Sequence, residues 1–401
     1  MSELSRFDAD QADPVGPLAS QSCELAGLGT VTLALYDRFE LLEHIWCALS
    51  RDGVSSPYQQ IEFIRGWMRH VGSAAKVKPR LVLVSRDDRP LALFPLGLRR
   101  RGPFRVLGWL ADSHTNFSMP LMDRAFADIG ETAPLLRAVA KLAGPCDTLE
   151  LCCLPESWLG QPNPLGVNAT QASHNPAFAL SLEGGFEAAL DRGNGARKRK
   201  KFRSQTRKLE DVGGATLVVA DDDASADRIL DAALVQMAAR FDRAGIWNRF
   251  NDTGVAAFLR DLTRPEHGSV LRLYGLEIAG ELRATFAGME HQGAFSGCFL
   301  SHADDKFAAI SPGDMIIHLA IENCCKRGLH TFDLGRGSER YKTSWCDRTV
   351  PMFETRIALT RRAHAFAGYE LGKIAVKTWL KGSDRRWAFA KRVRARLYGK
   401  V

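Results

Sequence analysis

The sequence predicts an α/β protein with two domains, and three observations lead to that fold class. The chain has 401 residues, which is more than one domain usually holds. Each half shows the same order of predicted elements: helices, a short antiparallel meander, a further helix and a final strand. A proline-rich stretch, PESWLGQPNPLG at 155–166, continues to about Pro176 and separates the halves. We therefore expect mixed, mostly antiparallel sheets flanked by helices.

The first domain is predicted over 29–176, after a flexible leader at 1–28 that is rich in Asp, Ser and Pro. A turn followed by helical periodicity indicates an amphipathic helix in SSPYQQIEFIRGWMRH. Short apolar runs predict strands at 30–35, 80–85, 90–99, 106–110 and 148–154, with further helices at 37–49 and 133–142.

The second domain is predicted over 177–360. It contains a dense basic run at 197–208, RKRKKFRSQTRK, which we interpret as a helix. Its other predicted helices include 224–244 and 254–262, and its predicted strands lie at 178–182, 215–220, 270–278, 283–290, 294–301, 329–334 and 353–359.

The composition is typical of a globular chain, with 45% hydrophobic and 25% charged residues. No run approaches the roughly 18 apolar residues that a membrane-spanning helix needs. The N-terminal residues carry acids where a signal peptide carries basic residues. We therefore expect a cytoplasmic protein.

The net charge of +8 is unevenly distributed along the chain. Residues 361–401 contain 12 Lys and Arg against two acids, a net of +10, so the remaining residues carry 8 − 10 = −2. Because nucleic-acid binding normally needs a basic face on the folded domain, we expect no DNA binding.

The nine cysteines are odd in number and form no C-x-x-C pair, so neither a zinc site nor a disulfide framework is expected. No other metal-ligand spacing emerges. Most of the thiols should be small buried groups. A thiol nucleophile is the alternative for Cys298 and Cys346, which lie near the motif described next.

The most informative stretch is SPGDMIIHLAIENCCKRGLHTFDLGRGSERYKTSW at 311–345. Ser311, Pro312 and Asp314 fit a capped helix start, and Gly328 fits its end. His318 is expected on an exposed polar face of this helix. After the strand comes a glycine-rich turn that is crowded with charged and aromatic side chains, as functional loops often are.

This motif, with SPYQQIEFIRGW, LALFPLGL and KKFRSQTRKLE, resembles the CelD-like acyltransferases. That family has the GNAT fold, is named for cellulose biosynthesis and is related to the FemAB aminoacyltransferases. The resemblance covers roughly residues 30–360 in element order. It implies two tandem GNAT-like domains that transfer an acyl group from acyl-CoA, foremost acetyl-CoA. The acceptor would be an amine or hydroxyl of an amino sugar, or of an exopolysaccharide or cell-envelope precursor.

One position departs from simple GNAT enzymes, whose Gln/Arg-x-x-Gly-x-Gly/Ala loop holds the CoA pyrophosphate through backbone N–H groups. The corresponding segment here is AAISPGDM. Asp314 is expected to repel a phosphate at this helix end, so a conventional pyrophosphate cradle is not predicted.

Acyl transfer to an amine needs a proton acceptor and donors for developing negative charge. Asp333 is the first candidate base, and its alternative role is to hold the turn at Gly335 and Gly337 through loop amides. Glu339 is the second candidate base, and its alternative is a solvated surface acid. Tyr341 is predicted either to donate its hydroxyl or to pack against Trp345.

Several residues are predicted to bind substrate or cofactor. Arg336 and Lys342 suit an anionic group, with solvated surface charge as the alternative. Arg203 and Arg207, four residues apart in the basic run, are expected to point together at an anionic ligand. The turn glycines Gly335 and Gly337, with Trp345, complete the predicted binding set.

The tail at 361–401 is predicted to be a basic amphipathic appendage. It would dock on an anionic membrane surface, pack as a helical hairpin, or bind a cyclic dinucleotide. The leading functional hypothesis is an N-acyltransferase. The alternatives are a FemAB-type enzyme that uses aminoacyl-tRNA bound at 197–208, and a catalytically inactive membrane-docked scaffold or nucleotide sensor in polysaccharide export.

Overall fold

The structure is a computed structural model, and it describes residues 16–245, 247–366 and 368–369. The strands are β1 Ala19–Leu25, β2 Gly29–Tyr36, β3 Lys78–Arg86, β4 Arg89–Arg101, β5 Phe104–Trp109, β6 Leu121–Met122, β7 Thr148–Pro155, β8 Ser157–Trp158, β9 Gln161–Pro162, β10 Gln171–Ala172, β11 Ala177–Ser181, β12 Ala215–Val219, β13 Leu271–Ile278, β14 Glu281–His291, β15 Ala294–His302, β16 Thr331–Arg336, β17 Arg348–Val350 and β18 Met352–Ala358. The helices are α1 Glu43–Asp52, α2 Ile61–Trp67, α3 Ala133–Leu142, α4 Pro164–Val167, α5 Gly185–Asp191, α6 Gly195–Arg207, α7 Asp223–Ala244, α8 Val255–Asp261, α9 Pro312–Lys326 and α10 Arg340–Trp345.

Two mixed sheets organise these elements. The first has the order β1-β2-β3-β4-β5-β7-β18-β10, with β6 paired to β4, and the second has the order β12-β13-β14-β15-β16-β11-β17. Within these sheets, neighbouring strands are antiparallel except for the parallel pairs β5–β7 and β15–β16. The predicted fold class, mostly antiparallel sheets flanked by helices, is confirmed.

The second sheet is covered on both faces because the side chains of its strands alternate between them. From β14, Ala287 and Met289 join α7, α8 and the first half of the chain in one continuous core. Ala284 and Phe286 of the same strand pack instead with α9 in a second core. The two halves therefore share buried apolar surface.

Two strands differ from the predicted domain organisation. β1 lies inside the range expected to be a flexible leader and pairs with β2 along seven residues, so the folded part begins before 29. β18, predicted as the last strand of the second domain, pairs with β7 in the first sheet. The sequence indicated a strand here, but the choice of sheet depends on the partner edge that β7 offers. Residues 1–15 and most of the predicted tail lie outside the described residues.

The helix at 312–326 has the predicted bounds, yet two of its details differ. Ser311 occupies the N-cap position in the left-handed region, with φ 61°, and makes no side-chain capping bond. His318 is buried, not exposed, because its ring stacks on Phe202 of α6 at a centroid distance of 3.9 Å. Burial lowers the pKa of His318 to about 4. Within the described part of the chain, no helix is both long and apolar enough to cross a bilayer.

Candidate active site

The site is built where β15 and β16 separate. The two strands pair in parallel from Ala294–Thr331 to Ser296–Asp333, after which β15 continues to His302 paired with β14 but no longer with β16. The register of β14 against β15 shifts between Ala287 and Gly288, so that Cys298 is an extra residue on β15. Such a bulge takes a backbone amide out of the regular ladder and makes it available to other partners.

Asp333 is the last residue of β16 that pairs with β15, and it is 3% exposed. Its Oδ1 accepts a hydrogen bond from the backbone N–H of Gly335. Burial raises the pKa of Asp333 to about 7, and the Gly335 N–H and Lys342 oppose that rise. The carboxyl therefore holds the turn, which was the alternative role that the sequence allowed.

Both glycines of the turn have a backbone conformation that residues with a side chain rarely adopt. Gly335 has φ +73°, and a Cβ there would lie 2.4 Å from Nδ2 of Asn116. Gly337 has φ +105°, and a Cβ there would lie 2.6 Å from Oε2 of Glu339. Asn116 itself donates to the carbonyl of Gly297 at 2.9 Å, so the turn packs directly on a residue of the first half.

The helix α10 follows the turn. Some of its side chains are buried in the protein, and others line a cavity. Lys342 is buried, and its Nζ donates to the carbonyl of Arg336 and pairs with Oε2 of Glu339 at 3.0 Å. Trp345 is buried too, and its indole N–H donates to Asp314 at 2.9 Å. Both residues thus support the site from behind.

An open cavity of about 560 Å³ lies between α6, the start of α9 and α10. Glu339 and Tyr341 line it, together with Leu300 and His302 from the part of β15 that no longer pairs with β16. Burial raises the pKa of Tyr341, so its hydroxyl stays protonated and can donate a hydrogen bond. The side chain of Glu339 is 47% exposed and remains accessible from the cavity.

Four cationic side chains line the same cavity: Arg197 and Lys201 from α6, Arg240 from α7, and Arg340. Two acids, Asp314 and Glu339, face them. The carboxylate of Asp314 is engaged by Lys201 at 2.8 Å and by the Trp345 indole. Because its charge is already paired, it opposes a phosphate at the start of α9 less than the sequence suggested.

The helix α6 is fixed by contacts that its sequence does not reveal. Gln205 donates to the carbonyls of Ile310 and Ser311, which joins α6 to the start of α9. Lys198 is buried with its Nζ 4.5 Å from the Trp345 ring centroid. This orientation points Arg197 and Lys201 at the cavity and leaves Arg203 and Arg207 exposed elsewhere.

The structure thus separates the predicted site residues. Glu339 and Tyr341 line the cavity, whereas Asp333, Gly335, Gly337, Lys342 and Trp345 are arranged behind it. Arg336 turns to the first half and donates to the carbonyl of Thr115 at 3.0 Å. Sequence reasoning missed Arg197, Lys201 and Arg240. Arg197 and Lys201 are four residues apart in the sequence, as are Arg203 and Arg207. The spacing alone therefore could not show which pair faces the cavity.

Comparison with known proteins places a family domain on this site. Residues 196–343 match the family described as Acetyltransferase (GNAT) domain, which spans α6 through most of α10. No curated protein matches the sequence. The narrower assignment to the CelD-like family stays a prediction.

Three solved structures are similar to the chain. The crystal structure of FemX shares 10% identity with a TM-score of 0.56, covering 81% of this chain and 97% of FemX. A conserved protein of unknown function from Bacteroides thetaiotaomicron VPI-5482 shares 12% identity with a TM-score of 0.50, covering 80% and 98% respectively. A tandem GNAT protein from the clavulanic acid biosynthesis pathway shares 13% identity over 81% and 98%, with a TM-score of 0.45.

At these identities the first two likenesses show a shared fold, and the third is too distant to add to that argument. The family match is the finding that bears on activity, because it covers α6, the diverging strands and the cavity. GNAT domains use acyl-CoA donors. The chain therefore carries a GNAT-type acyltransferase domain over residues 196–343.

Proposed function

We propose that this protein transfers an acyl group, foremost acetyl, from acyl-CoA to the amine of an amino sugar or another exopolysaccharide or cell-envelope precursor. The observation that carries the proposal is the cavity in which four cations face Glu339 and Tyr341 within the GNAT domain. The choice of an envelope precursor rests on the resemblance of the 311–345 motif to the CelD-like enzymes.

The donor's phosphates would lie against Arg197, Lys201, Arg240 and Arg340. Arginine forks and lysine point charges are the usual protein partners of phosphate groups. The start of α9 adds the partial positive charge of a helix N-terminus, and Lys201 and Trp345 already hold Asp314. This charge arrangement supports a phosphorylated donor without the glycine-rich loop of simple GNAT enzymes.

The acyl end of the donor would follow β15 toward its bulge. Leu300 and His302 line the cavity, and Cys298 precedes Leu300 by two residues, which is about 7 Å along a strand. A backbone N–H freed at the Cys298 bulge is suited to donate to the thioester carbonyl as negative charge develops on its oxygen.

In the reaction, the acceptor amine attacks the thioester carbonyl carbon, and the C–N bond forms as the C–S bond breaks. Glu339 accepts the proton that the amine loses, since it is the cavity acid not held by an indole N–H. Tyr341 donates a hydrogen bond to the leaving thiolate, which takes up a proton from solvent while Glu339 releases its proton to solvent. The products are an amide and free CoA.

The direct test measures release of the CoA thiol from acetyl-CoA in the presence of amino-sugar acceptors. Glu339→Gln should lower kcat by about 10²- to 10⁴-fold, the usual contribution of a general base. Glu322→Gln, which alters an acid paired with Lys326 on α9, is the matched control and should keep full activity. Wild-type turnover by Glu339→Gln would remove Glu339 as the base, and no CoA release with any amine would overturn the function.

A second candidate function is favoured by the exposed face of α6. Lys200, Arg203 and Arg207 are exposed there, and among the described residues no carboxylate pairs with them. A polyanion such as an aminoacyl-tRNA donor would suit this face. Arg197→Met/Lys201→Met should raise KM for acyl-CoA, whereas Arg203→Met/Arg207→Met should leave it unchanged. The tRNA donor would be favoured if transfer required aminoacyl-tRNA and if Arg203→Met/Arg207→Met abolished this transfer while Arg197→Met/Lys201→Met did not.

A further inference from the structure

The boundary between the two halves contains a small cavity that the donor site does not use. Its volume is about 50 Å³, and its polar lining comprises Tyr58, His114, Thr115, Asn116 and Arg249. A single water needs roughly 10–15 Å³ of such space, so the cavity has room for one small group and not for a sugar ring.

Two guanidinium groups lie near this cavity: that of Arg249 lines it, and that of Arg336 is hydrogen-bonded to Thr115, which also lines it. Arg249 donates to the carbonyl of Ser113 at 3.0 Å, and Arg336 donates to the carbonyl of Thr115 at 3.0 Å. Within the described ranges, neither guanidinium has a carboxylate oxygen within 4 Å. The nearby carboxylate of Asp112 is occupied by Arg99, and that of Asp252 by the Trp247 indole.

The two charges act on each other. Desolvation and the neighbouring Arg336 both lower the pKa of Arg249. Nε of Arg336 is buried and has no hydrogen-bond partner among the described residues. Like charges placed together in this way are normally compensated by an anion, because the uncompensated arrangement costs free energy.

His114 adds a further donor. The Trp67 indole N–H donates to Nδ1 of His114 at 3.1 Å, so in the neutral ring the proton is on Nε2. Burial lowers the pKa of His114, which keeps the ring neutral. Nε2 is buried and has no partner in the described structure. The groups that remain free around the cavity are therefore hydrogen-bond donors.

The cavity also lies beside the proposed acyl centre. Cys298 and Phe299 of β15 line it, and Cys298 is the bulge residue toward which the acyl end of the donor is proposed to extend. Leu300, two residues further along the same strand, lines the donor cavity. A group bound to Arg249 would therefore lie on one side of the proposed acyl-transfer centre, toward the first half of the chain. The donor would lie on the other side, toward α9.

We propose that Arg249, Arg336 and the Nε2–H of His114 form an oxyanion-binding subsite, and that the acyl acceptor carries a carboxylate or a phosphate which this subsite holds. The statement about the acceptor rests on the proposed function, whereas the subsite itself does not. A carboxylate fits the small volume best, and a planar guanidinium fork matches its two oxygens.

Binding of a small anion tests the subsite without any transfer reaction. The thermal unfolding midpoint of the full chain is measured against sodium formate and sodium phosphate, with sodium chloride at equal ionic strength as reference. We expect a saturable rise above the chloride value with one oxyanion, and at least a tenfold weaker half-saturation in Arg249→Met. A larger response to formate identifies a carboxylate, and a larger response to phosphate identifies a phosphate ester.

Arg228→Met is the matched control, because this exposed arginine pairs with Glu277 away from the cavity. It should respond as the wild type does. An equal rise with chloride, or a response unchanged in Arg249→Met, overturns the subsite. CoA release is followed in the same samples: release without anion binding rejects the subsite alone, and anion binding without release rejects the proposed function alone.

Discussion

The buried carboxyl of Asp333 has a consequence for stability that can be measured. Its pKa is raised from 3.8 to about 7 by burial, so between about pH 4 and 7 the folded state binds more protons than the unfolded state. The contribution of this group to stability is present below pH 4 and is lost as the pH rises through 7.

Asp333→Asn should remove this loss while keeping an oxygen that accepts from the Gly335 N–H. Relative to the wild type, the variant should gain stability from pH 5 to pH 8 by at most about 3 kcal/mol, because about two of the three pKa units of the shift lie above pH 5. Urea unfolding at both pH values measures the difference. If the stability difference between variant and wild type is the same at both pH values, Asp333 is charged in the folded protein. If the variant is stabilised but loses transfer activity, Asp333 is again the candidate base.

Gly335 joins the site to the first half through a contact that leaves no room for a side chain. Gly335→Ala would place a Cβ 2.4 Å from Asn116, which is bonded to Gly297 and Tyr58. Gly328→Ala is a matched control, because Gly328 has φ +76° and open space around it. Both variants should lose about 1 kcal/mol for the left-handed backbone. Gly335→Ala should lose at least 1 kcal/mol more in denaturant unfolding, and equal losses would rule out the steric contact.

At the scale of elements, the N-cap residues of α9 and α7 differ in whether their side chains make a capping hydrogen bond. Ser311 makes no capping bond, so Ser311→Ala should change stability by less than about 0.5 kcal/mol. Asp222 caps α7 through a 2.7 Å bond from the Ser225 N–H, so Asp222→Ala should cost about 1 kcal/mol. Thermal unfolding compares the two variants, and a loss in Ser311→Ala that matches Asp222→Ala would show that Ser311 does cap α9.

Most elements could be predicted from local pattern, whereas their partners could not. The bounds of α9 follow from Pro312 and Gly328, which act within one turn of chain. The placement of β18 depends on the edge of β7, about 200 residues earlier, and periodicity carries no such information.

The candidate site shows the same limit. Glu339 and Tyr341 were predicted from the turn itself, and the structure places both at the cavity. Arg203 and Arg207 were predicted to bind an anionic ligand because they lie four residues apart in the basic run. The orientation of α6 is decided by Lys198 against Trp345 and by Gln205 against Ile310, contacts that span more than 100 residues. The sequence pattern alone could not choose between the two faces.

At the scale of the whole molecule, the chain returns to its first sheet at the end. β18 pairs with β7 from Met352–Pro155 to Ala358–Thr148, and Asp147 accepts hydrogen bonds from the backbone of Leu359 and the hydroxyl of Thr360. Without β18, the buried strand β7 would present an unpaired edge. The first half is therefore not expected to be an independent folding unit.

We predict that residues 16–176 alone do not fold, and that adding 351–360 through a Gly/Ser linker restores a cooperative unfolding transition. The reason is that the added strand pairs with β7 and covers apolar surface that the fragment leaves exposed. Circular dichroism in urea and size-exclusion chromatography measure the transition and the oligomeric state. A fragment that carries the same linker and a scrambled strand is the control. If the fragment 16–176 unfolds cooperatively with the same midpoint as the extended form, β18 is a peripheral addition and the two halves are separable domains.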